Sequence, residues 1–549
     1  MIPSTALRLG LGVCSVLPQL GLVSASAIRA ELPSLLDATL DELRQGLDAG
    51  LFTSVDLTKA YIARIKDVAD DLHAVNEINP EALSIAADMD AARADGTKSA
   101  AGLGPLHGIP VLLKDNIATL DRMNTTAGSF ALVGAQPKAD STVAAKLRHA
   151  GAIILGKTNL SQWAGFRAVT PREGWSAYGG QTKGAYLRHQ NPLGSSSGSA
   201  VSASIGLAWA ALGTETDASL ILPANANNVV AIKPSVGLTS RYLVVPISEH
   251  HDTVGPLART VKDAAHLLAA IAGPDINDNY TFAIPAGGKL PDYVAACRET
   301  GLQGKRLGLP RDWLPPPDND TSPMRVFEDA LEVLRSQGAT VVDTQVPVSE
   351  SVRDSLMATL GADMLSGVAR YFGNLRTNPY NITTLKQLQD FTQGFPQEDW
   401  PAVDTGLWQD AIDQDLDNTS PEFWSLYEES VRLAGPQGLL GALRNNSLDA
   451  IVVPTTMMSF LPAVVGSPII TVPLGNLPAH WPETEDDSGT LVSVGPNLPF
   501  GIAFAGDLFS EEKLIEIAYA FEQKTKARGT VRPLVKPKTD LRDVVGQKD

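Results

Sequence analysis

The segment from 194 to 219 constrains the fold of this chain of 549 residues more than any other. It begins with a run of serines and glycines at 194–200 and ends in a second polar loop that carries Ser219. The residues between them, 201–212, are mostly small and apolar, and they suffice for a short buried helix followed by a strand. We therefore predict that this compact element brings Ser195 and Ser219 to one point in the fold.

A lysine lies at the end of a second apolar run, at 110–114. The residues from Pro110 to Leu113 are typical of a buried strand, and Lys114 would be carried into the protein at its end. Burial removes water from the ammonium group, and this lowers its pKa toward a value that is useful for a base. Two serines and a desolvated lysine are the parts of a hydrolase that needs no histidine.

Short apolar runs alternate with amphipathic segments over most of the chain. We predict helices at 40–47, 54–65, 82–93, 141–149, 260–272, 326–337 and 511–524, and strands at 110–113, 152–155, 306–309, 340–346, 450–453 and 469–472. This alternation of strands and helices indicates an α/β fold in which helices cover a mostly parallel or mixed sheet. Residues 350–440 are polar, helical and rich in aromatic side chains, and we interpret them as an inserted cap.

Composition limits the kinds of partner. Charged residues make up 19% and hydrophobic residues 44% of the chain, as in a globular protein. The net charge of -17 argues against nucleic acid or an anionic membrane as a partner. After residue 27, no apolar run reaches the length of about 18 residues that a membrane span requires, so none is predicted.

Residues 1–27 have the pattern of a secretory signal peptide. Arg8 supplies the basic start, the residues at 9–23 are mostly apolar, and Ala25, Ser26 and Ala27 form a cleavage site of the A-x-A type. We expect a secreted protein; the alternative is a hydrophobic N-terminal helix of a cytosolic one. Of the two cysteines, Cys14 would be removed with the signal, which leaves Cys297 without an intramolecular partner.

Seven asparagines stand in N-x-S/T sequons, which accept glycans in secreted proteins. Asn124 and Asn159 lie beside core-like segments, and we interpret them as structural. The other five stand in polar, loop-like surroundings and are the expected glycan sites of a glycoprotein: Asn279, Asn319, Asn381, Asn418 and Asn445.

Several further segments, taken with the lysine and the two serines, match a known family. They occur in the family's order at 114–116, 123–129, 156–160, 194–200, 213–219, 232–238, 252–256 and 466–473. Over about 35–525 the chain resembles the amidase signature family. The Thr-Glu-Thr-Asp form at 214–217 is most similar to its peptide-amidase-like and fungal branch.

The resemblance implies a fold, a reaction and a set of site residues. The fold is α/β, a large mixed β-sheet core covered by helices on both faces, in a single amidase domain over 28–549. The reaction is hydrolysis of a small-molecule carboxamide by a monomer or homodimer, without metal or cofactor. Lys114 would be the base, Ser195 the bridging serine that follows a cis peptide bond, and Ser219 the nucleophile that forms an acyl-enzyme. The oxyanion would be bound by the backbone N–H groups of Thr216, Asp217, Ala218 and Ser219.

Four positions depart from the family's glycines: Leu193, Ala218, Asn228 and Ala231. If position 218 needs a positive φ, alanine costs about 1–2 kcal/mol there. A catalytically impaired member of the family, which binds a ligand or a partner, is therefore the alternative function. A third possibility is the amidase subunit of a tRNA-dependent amidotransferase, which the signal-like start and the acidic charge disfavour.

Other candidate sites are weaker. His250 and His251 are adjacent, and neighbouring residues do not face one site on a helix or strand. No Cys/His cluster has the spacing of metal ligands, and the glycines at 102–108 lack a dinucleotide-binding pattern. Five aromatic residues of the cap could line a substrate channel, although packing between helices is their commoner role: Trp400, Trp408, Phe423, Trp424 and Tyr427.

Overall fold

The computed structural model describes residue 1 and residues 32–95, 102–315 and 322–546. The predicted signal peptide, apart from Met1, and the sequon at Asn319 lie outside the described residues. Within these ranges, no helix has both the length and the apolar character that crossing a bilayer would require.

The described residues form a mixed sheet of 11 strands, in the order β1-β4-β2-β7-β9-β8-β14-β17-β13-β10-β11. These strands are β1 (Val75–Ile78), β2 (Pro110–Lys114), β4 (Ile153–Thr158), β7 (Ala210–Glu215), β8 (Val230–Lys233), β9 (Thr253–Ala258), β10 (Arg306–Leu309), β11 (Thr340–Asp343), β13 (Ala450–Pro454), β14 (Ile469–Asn476) and β17 (Pro499–Ala505). Short two-stranded ribbons are formed by β3 (Gln136–Pro137) with β12 (Leu375–Thr377), β5 (Trp175–Ser176) with β6 (Gly180–Gln181), and β15 (Thr484–Glu485) with β16 (Val492–Val494).

The sheet contains two parallel groups that are separated by antiparallel strands. In one group β2 is parallel to both β4 and β7, and in the other β10 is parallel to both β11 and β13. The strands between these groups, β9, β8, β14 and β17, pair antiparallel. The α/β fold with a large mixed sheet is therefore confirmed.

Among the described residues, 17 α-helices accompany the sheet. They are α1 (Leu40–Asp48), α2 (Ser54–Asp67), α3 (Ala69–Leu72), α4 (Ala82–Ala94), α5 (Thr142–His149), α6 (Ser197–Ser204), α7 (Ile221–Ala226), α8 (Val261–Ile271), α9 (Pro285–Gly288), α10 (Ser322–Ser336), α11 (Ser351–Gly373), α12 (Leu385–Gly394), α13 (Gly406–Gln414), α14 (Pro421–Ala434), α15 (Leu439–Asn445), α16 (Phe460–Val465) and α17 (Glu511–Thr525). The predicted helices and strands all occur, although α10 begins earlier than predicted and β11 ends earlier.

Alternation along the strands creates two cores, one on each face of the sheet. In β17, Ile502 and Phe504 belong to the core that includes α8 and α17, whereas Ala503 and Ala505 belong to the other core. The second core takes residues from α7, α11 and α15. The helices on both faces are buried against the sheet through these two cores.

The segment at 350–440 is helical, as predicted, but it is more closely joined to the sheet than a separate cap. Leu360, Leu388, Trp408 and Ala434 belong to the core on the second face of the sheet, together with Ile451 of β13. In addition, β12 pairs with β3. The segment therefore covers one face of the sheet, and its description as an insertion in a single domain stays a prediction.

One expectation about sequons is wrong. The side chain of Asn418 is only 7% exposed, and its Nδ2 donates to Asp363 Oδ1 at 3.0 Å and to Glu249 Oε1 at 2.9 Å. A polar local sequence indicated a loop surface, but these partners come from distant parts of the chain and enclose the amide. Asn279, Asn381 and Asn445 are exposed, as expected, and Asn159 is buried.

A buried arginine fixes the end of the helix that follows the serine loop. Arg64 of α2 donates to the carbonyl oxygens of Ile205 and Gly206, just after α6, at 2.7 and 2.6 Å. Its remaining nitrogen donates to Thr539 O at 2.6 Å, close to the C-terminal end of the described chain. Near this point Leu35 N donates to Asp540 Oδ1 at 2.8 Å. Helix α6, the N-terminal layer and the C-terminal tail are thus tied together.

We expect Arg64→Met to destabilise the protein by about 3 kcal/mol or more, because it leaves two buried carbonyl groups and one half-buried carbonyl group without these donors. The measurement is the midpoint of urea unfolding. Lys66→Met, at an exposed position of the same helix, is the matched control and leaves the midpoint unchanged. Equal midpoints for the two variants would contradict the role given to Arg64.

Candidate active site

Lys114 lies at the end of strand β2 and is fully buried. Its Nζ donates to Ser195 Oγ at 2.7 Å, to Ser196 Oγ at 3.1 Å, and to Thr214 Oγ1 and O at 2.9 and 3.1 Å. Burial lowers the pKa of Lys114 to about 7, although the charges of Asp252, Glu215 and Glu173 oppose this shift. With a pKa of about 7, a substantial fraction of the amine is neutral at physiological pH.

The two serines predicted from the sequence lie beside this lysine. The peptide bond between Gly194 and Ser195 is cis, as the family resemblance implied. Ser195 Oγ donates to Ser219 Oγ at 2.9 Å, and Ser196 N donates to Ser219 O at 3.1 Å. Lys114, Ser195 and Ser219 thus form one continuous row of hydrogen-bonded groups.

Two carboxylates fix the loop that carries Ser219. Glu215 Oε2 accepts from Leu220 N and Ile221 N at 2.6 and 3.0 Å, and Asp252 Oδ1 accepts from Thr216 Oγ1 at 2.6 Å. In the part of the chain that the structure describes, the backbone N–H groups of residues 216–219 donate to no protein acceptor. The loop therefore presents unpaired donors next to the hydroxyl of Ser219.

Three of the four positions that depart from glycine adopt left-handed backbone angles. The φ values are +65° at Ala218, +53° at Leu193 and +57° at Asn228, whereas Ala231 lies in strand β8. A non-glycine residue in this region costs about 1–2 kcal/mol. The chain keeps the backbone path that favours glycine at these three positions, and it does so at the expense of stability.

Ser219 opens into a cavity of about 270 Å³. Thr216, Asp217 and Ser219 form its polar end, and Arg353 contributes a charge. The rest of the wall is mainly apolar and comprises Ala164, Gly165, Phe166, Ala168, Val169, Pro171, Ile247, Leu356, Met357, Leu360, Leu407 and Phe460. A ligand that reaches Ser219 would thus contact polar groups at one end and apolar surface along most of its length.

Sequence reasoning missed several hydrogen bonds in the surroundings of the lysine and the serines. Asn116 Nδ2 donates to Thr214 Oγ1 at 3.0 Å, and Ser196 Oγ donates to Thr214 O at 3.0 Å. Asn116 and Ser196 stand in the recognised motifs, so the sequence indicated that they lie near the site. It did not indicate that both bond to Thr214. Asp252 and Thr216 also stand in recognised motifs, but the motifs do not show that the two side chains bond to each other.

The expectation that the two adjacent histidines face different places is wrong. They lie in a turn, and the rings of His250 and His251 are 4.8 and 5.7 Å from the ring of Tyr427. His250 Nδ1 also lies 2.8 Å from Asp363 Oδ2. Since the rule about neighbours holds for helices and strands, it did not apply to this turn.

Near the turn, ligand atoms of Glu249, His250 and Asp363 lie within 4.8 Å of one another. The carboxylate of Asp363 already bonds to His250 and to Asn418, so the group acts as a hydrogen-bonded core. The sequence shows no metal-ligand spacing here because Asp363 is remote from Glu249 and His250 along the chain.

The cap aromatics pack instead of lining the cavity at Ser219. Trp408 is fully buried against Trp163, while Phe423, Trp424 and Tyr427 surround His250. Trp400 is 45% exposed. None of these residues is among those that line the Ser219 cavity in the described structure.

Comparisons with known proteins agree with this architecture. The structure of peptide amidase from Stenotrophomonas maltophilia has a TM-score of 0.80 and 39% sequence identity, over 91% of this chain and 98% of that chain. An amidase-family protein of Arthroderma benhamiae is 46% identical over 546 residues, which cover 94% of this chain and 90% of that protein. The A subunit of the glutamyl-tRNA(Gln) amidotransferase of Geobacter metallireducens is 31% identical over 501 residues, 89% of this chain and 98% of that one.

The family model described as Amidase matches residues 56–515, which is most of the chain. The family resemblance inferred from the motifs is therefore confirmed. This protein belongs to the amidase signature family, enzymes that hydrolyse carbon–nitrogen bonds other than peptide bonds.

Proposed function

We propose that this protein is a serine amidohydrolase that cleaves a carboxamide through a Lys114–Ser195–Ser219 triad and an acyl-enzyme on Ser219. The observation that carries the proposal is the row of hydrogen bonds from the buried amine of Lys114 through Ser195 to Ser219. A serine hydroxyl is a weak nucleophile, and it needs a base within hydrogen-bond reach. Here that base acts through a second hydroxyl.

The proton moves along this row in both directions. With Lys114 neutral, its lone pair accepts the proton of Ser195, and Ser195 accepts the proton of Ser219 as the Ser219 oxygen attacks the carbonyl carbon. When the tetrahedral intermediate collapses, Ser195 protonates the leaving nitrogen and regains its proton from Lys114. A water molecule then attacks the acyl-enzyme by the same route, which releases the carboxylic acid.

The negative charge of the tetrahedral oxygen requires donors that are already in place. The backbone N–H groups of Thr216, Asp217, Ala218 and Ser219 are the proposed set, as the family resemblance implied. Their lack of protein acceptors and the fixation of the loop by Glu215 and Asp252 support this role. Donors held in this way need no reorganisation when the charge appears.

The cavity supports an apolar acyl group as the part of the substrate that it binds. Leu356, Leu360 and Phe460 offer a surface that an aliphatic or aromatic group would cover, and the polar end places the carboxamide at Ser219. The likeness to peptide amidase favours a carboxamide substrate that is processed by the single chain, over the role of an amidotransferase subunit. Activity of the purified chain without a partner subunit would separate these two functions.

A second candidate function is favoured by one observation, the left-handed φ of Ala218. In this second function the methyl group of Ala218 disturbs the oxyanion hole, and the protein binds its ligand but hydrolyses it slowly. The unpaired N–H groups on both sides of Ala218 argue for the active enzyme, since the loop keeps its donors in spite of the methyl group.

We expect a fluorophosphonate probe to label the wild-type protein at Ser219, because this reagent traps activated serine hydroxyls. Ser219→Ala abolishes labelling, and Lys114→Ala reduces it by at least about 100-fold because the base is lost. Ser202→Ala, at a buried serine of α6 whose hydroxyl bonds to none of the described residues, keeps the wild-type rate. The measurement is mass spectrometry of the labelled peptide, and labelling at another serine would refute the assignment.

The pH profile of kcat/KM should follow Lys114. Because the neutral amine is the base and burial lowers its pKa to about 7, activity on an uncharged carboxamide falls as the pH decreases through about 7. Asp252 carries a negative charge that favours the ammonium form, so Asp252→Asn moves this acid limb to lower pH. Asparagine can still accept from Ile247 N and Ser248 N and can donate to Thr216, as the geometry of Asp252 allows.

Glu249→Gln is the matched control for this profile. It removes one charge from the same loop, but Glu249 is not among the carboxylates that act on Lys114. We expect the acid limb of the pH profile of Glu249→Gln to stay at the wild-type position. A wild-type rate that is independent of pH between 6 and 8, a window of about one unit on each side of the Lys114 pKa, would exclude the lysine as the base.

We expect Ala218→Gly to stabilise the protein by about 1 kcal/mol, because glycine adopts a positive φ without a steric cost. In an active wild-type enzyme the turnover rate changes by less than about threefold, since the donors are already in place. Thermal unfolding and steady-state kinetics measure the two effects. A turnover rate that increases by about 100-fold or more would instead support the impaired protein as the true function of the wild type.

A further inference from the structure

The structure contains a second cavity, of about 150 Å³, which the proposed mechanism does not use. It is lined by residues of 241–252, 277–279 and the end of α11 at 367–374, and we call it the rear cavity. The cavity that Ser219 faces, called the catalytic cavity below, shares no lining residue with it in the described structure. The two are therefore separate binding spaces.

The wall between the two cavities is only one segment thick. Pro246 and Ser248 line the rear cavity, whereas Ile247, which stands between them, lines the catalytic cavity. Thr216 of the catalytic cavity donates through Oγ1 to Asp252 of the rear cavity at 2.6 Å. A ligand in the rear cavity would thus contact the reverse side of the wall that the substrate contacts.

The same wall is bonded to the segment that follows the proposed base, Lys114. Val245 N donates to Asn116 O at 2.8 Å, and Ala118 N donates to Leu243 O at 3.1 Å. Leu243 has a φ of +57°, and strained residues of this kind are concentrated at functional sites. The wall is therefore tied both to the segment of the base and to the loop of the nucleophile.

The charged groups of the rear cavity compensate one another almost completely. Asp278 accepts from Nε and Nη2 of Arg241 at 2.8 and 2.6 Å, and Glu249 Oε2 accepts from Arg370 at 2.6 Å. With Asp252, three carboxylates line the cavity against two guanidinium groups, which leaves one net negative charge. An anion would be repelled by this charge.

The groups that still lack partners in the rear cavity are hydrogen-bond donors. A guanidinium group has five N–H donors, and the described residues accept from three of those of Arg241 and two of those of Arg370. Both oxygens of each carboxylate that lines the cavity already accept at least one hydrogen bond. The cavity therefore suits an uncharged oxygen acceptor better than a cation.

The rest of the lining complements the other parts of a small amide. Leu243, Val244 and Pro246 offer apolar surface for an alkyl group. Asn374 donates through Nδ2 to Arg370 O at 3.1 Å, and its Oδ1, to which no described residue donates, is left to accept an N–H. Donors, an acceptor and an apolar surface thus line one space.

We propose that the rear cavity is a second binding site for a small neutral carboxamide, and that its occupancy raises turnover. The cavity and the complete row of Lys114, Ser195 and Ser219 occur in the same arrangement of the chain, so a ligand that binds the cavity favours that arrangement. The coupling to turnover rests on the function proposed above, whereas the binding site does not.

The binding experiment compares three probes of similar size and different charge: isobutyramide, isobutyrate and isobutylammonium. The fluorophosphonate first blocks Ser219, so that the catalytic cavity is occupied, and each probe is then titrated by ligand-detected NMR. We expect isobutyramide to bind at one site with a Kd of about 1 mM, and the two ions to bind at least about tenfold more weakly. Absence of saturable amide binding up to about 100 times that concentration, or tighter binding of either ion, would overturn the proposal.

Variants assign the binding to the rear cavity. Arg370→Leu removes donors at an exposed position and weakens amide binding by at least about tenfold, and Asn374→Leu acts in the same direction. Arg432→Leu is the matched control, because Arg432 is similarly exposed and also pairs with a glutamate, Glu429, but does not line the cavity. Equal affinities in Arg370→Leu and Arg432→Leu would refute the assignment.

The coupling is tested by the rate of isobutyramide hydrolysis over a wide range of concentrations. In the wild type and in Arg432→Leu, the rate at high concentration exceeds the hyperbola fitted at low concentration by about fivefold, since the second site fills there. In Arg370→Leu the curve is hyperbolic. A hyperbolic curve in the wild type would overturn the coupling to turnover.

Failure of the proposed function gives a different pattern. A protein that the fluorophosphonate does not label and that hydrolyses no amide overturns the proposed function. Amide binding is then titrated without the block, and its loss in Arg370→Leu but not in Arg432→Leu still identifies the rear cavity. A protein that is labelled at Ser219 but binds no amide afterwards overturns only the second site.

Discussion

The desolvation of Lys114 is the constraint on which the remainder of the site depends. Four oxygen atoms surround its amine, from Ser195, Ser196 and Thr214, and all of them are neutral. In the described residues no carboxylate forms an ion pair with it, so the ammonium form lacks the partner that would normally compensate for burial. The charges of Asp252, Glu215 and Glu173 act on it from further away. The amine is hydrogen-bonded in either protonation state, and this allows it to lose a proton without a change in structure.

The parallel group of β4, β2 and β7 explains how residues so distant in sequence reach this amine. Parallel strands end at the same edge of a sheet, so Lys114 at the end of β2 and Thr214 near the end of β7 become neighbours. Helix α6 runs back along the sheet before β7 begins, which returns the serine loop to that same edge. The short link between the two loops is therefore a geometric requirement, and the compact apolar segment at 201–212 satisfies it.

Much of the fold and the central row of the site could be read from the sequence, because the signals were local. Gly50 and Gly151 follow helices α1 and α5 at positive φ, which is a common way for a helix to end. The serine loop, the lysine and Ser219 stood in short motifs with fixed spacing. What could not be read depends on contacts between remote segments. Asn418 reaches Asp363, and Arg64 reaches Thr539, through packing that no local pattern encodes.

The bond between Leu35 and Asp540 joins residues that are 505 positions apart. Arg64, which holds the carbonyl groups beyond α6, takes its last acceptor from Thr539 in the same tail. During translation the N-terminal layer is made long before residues 539 and 540, so this junction closes only after the strands between them have been synthesised. Contacts of such large sequence separation form slowly, and the scaffold behind the serine loop is therefore among the last parts of the fold to be completed.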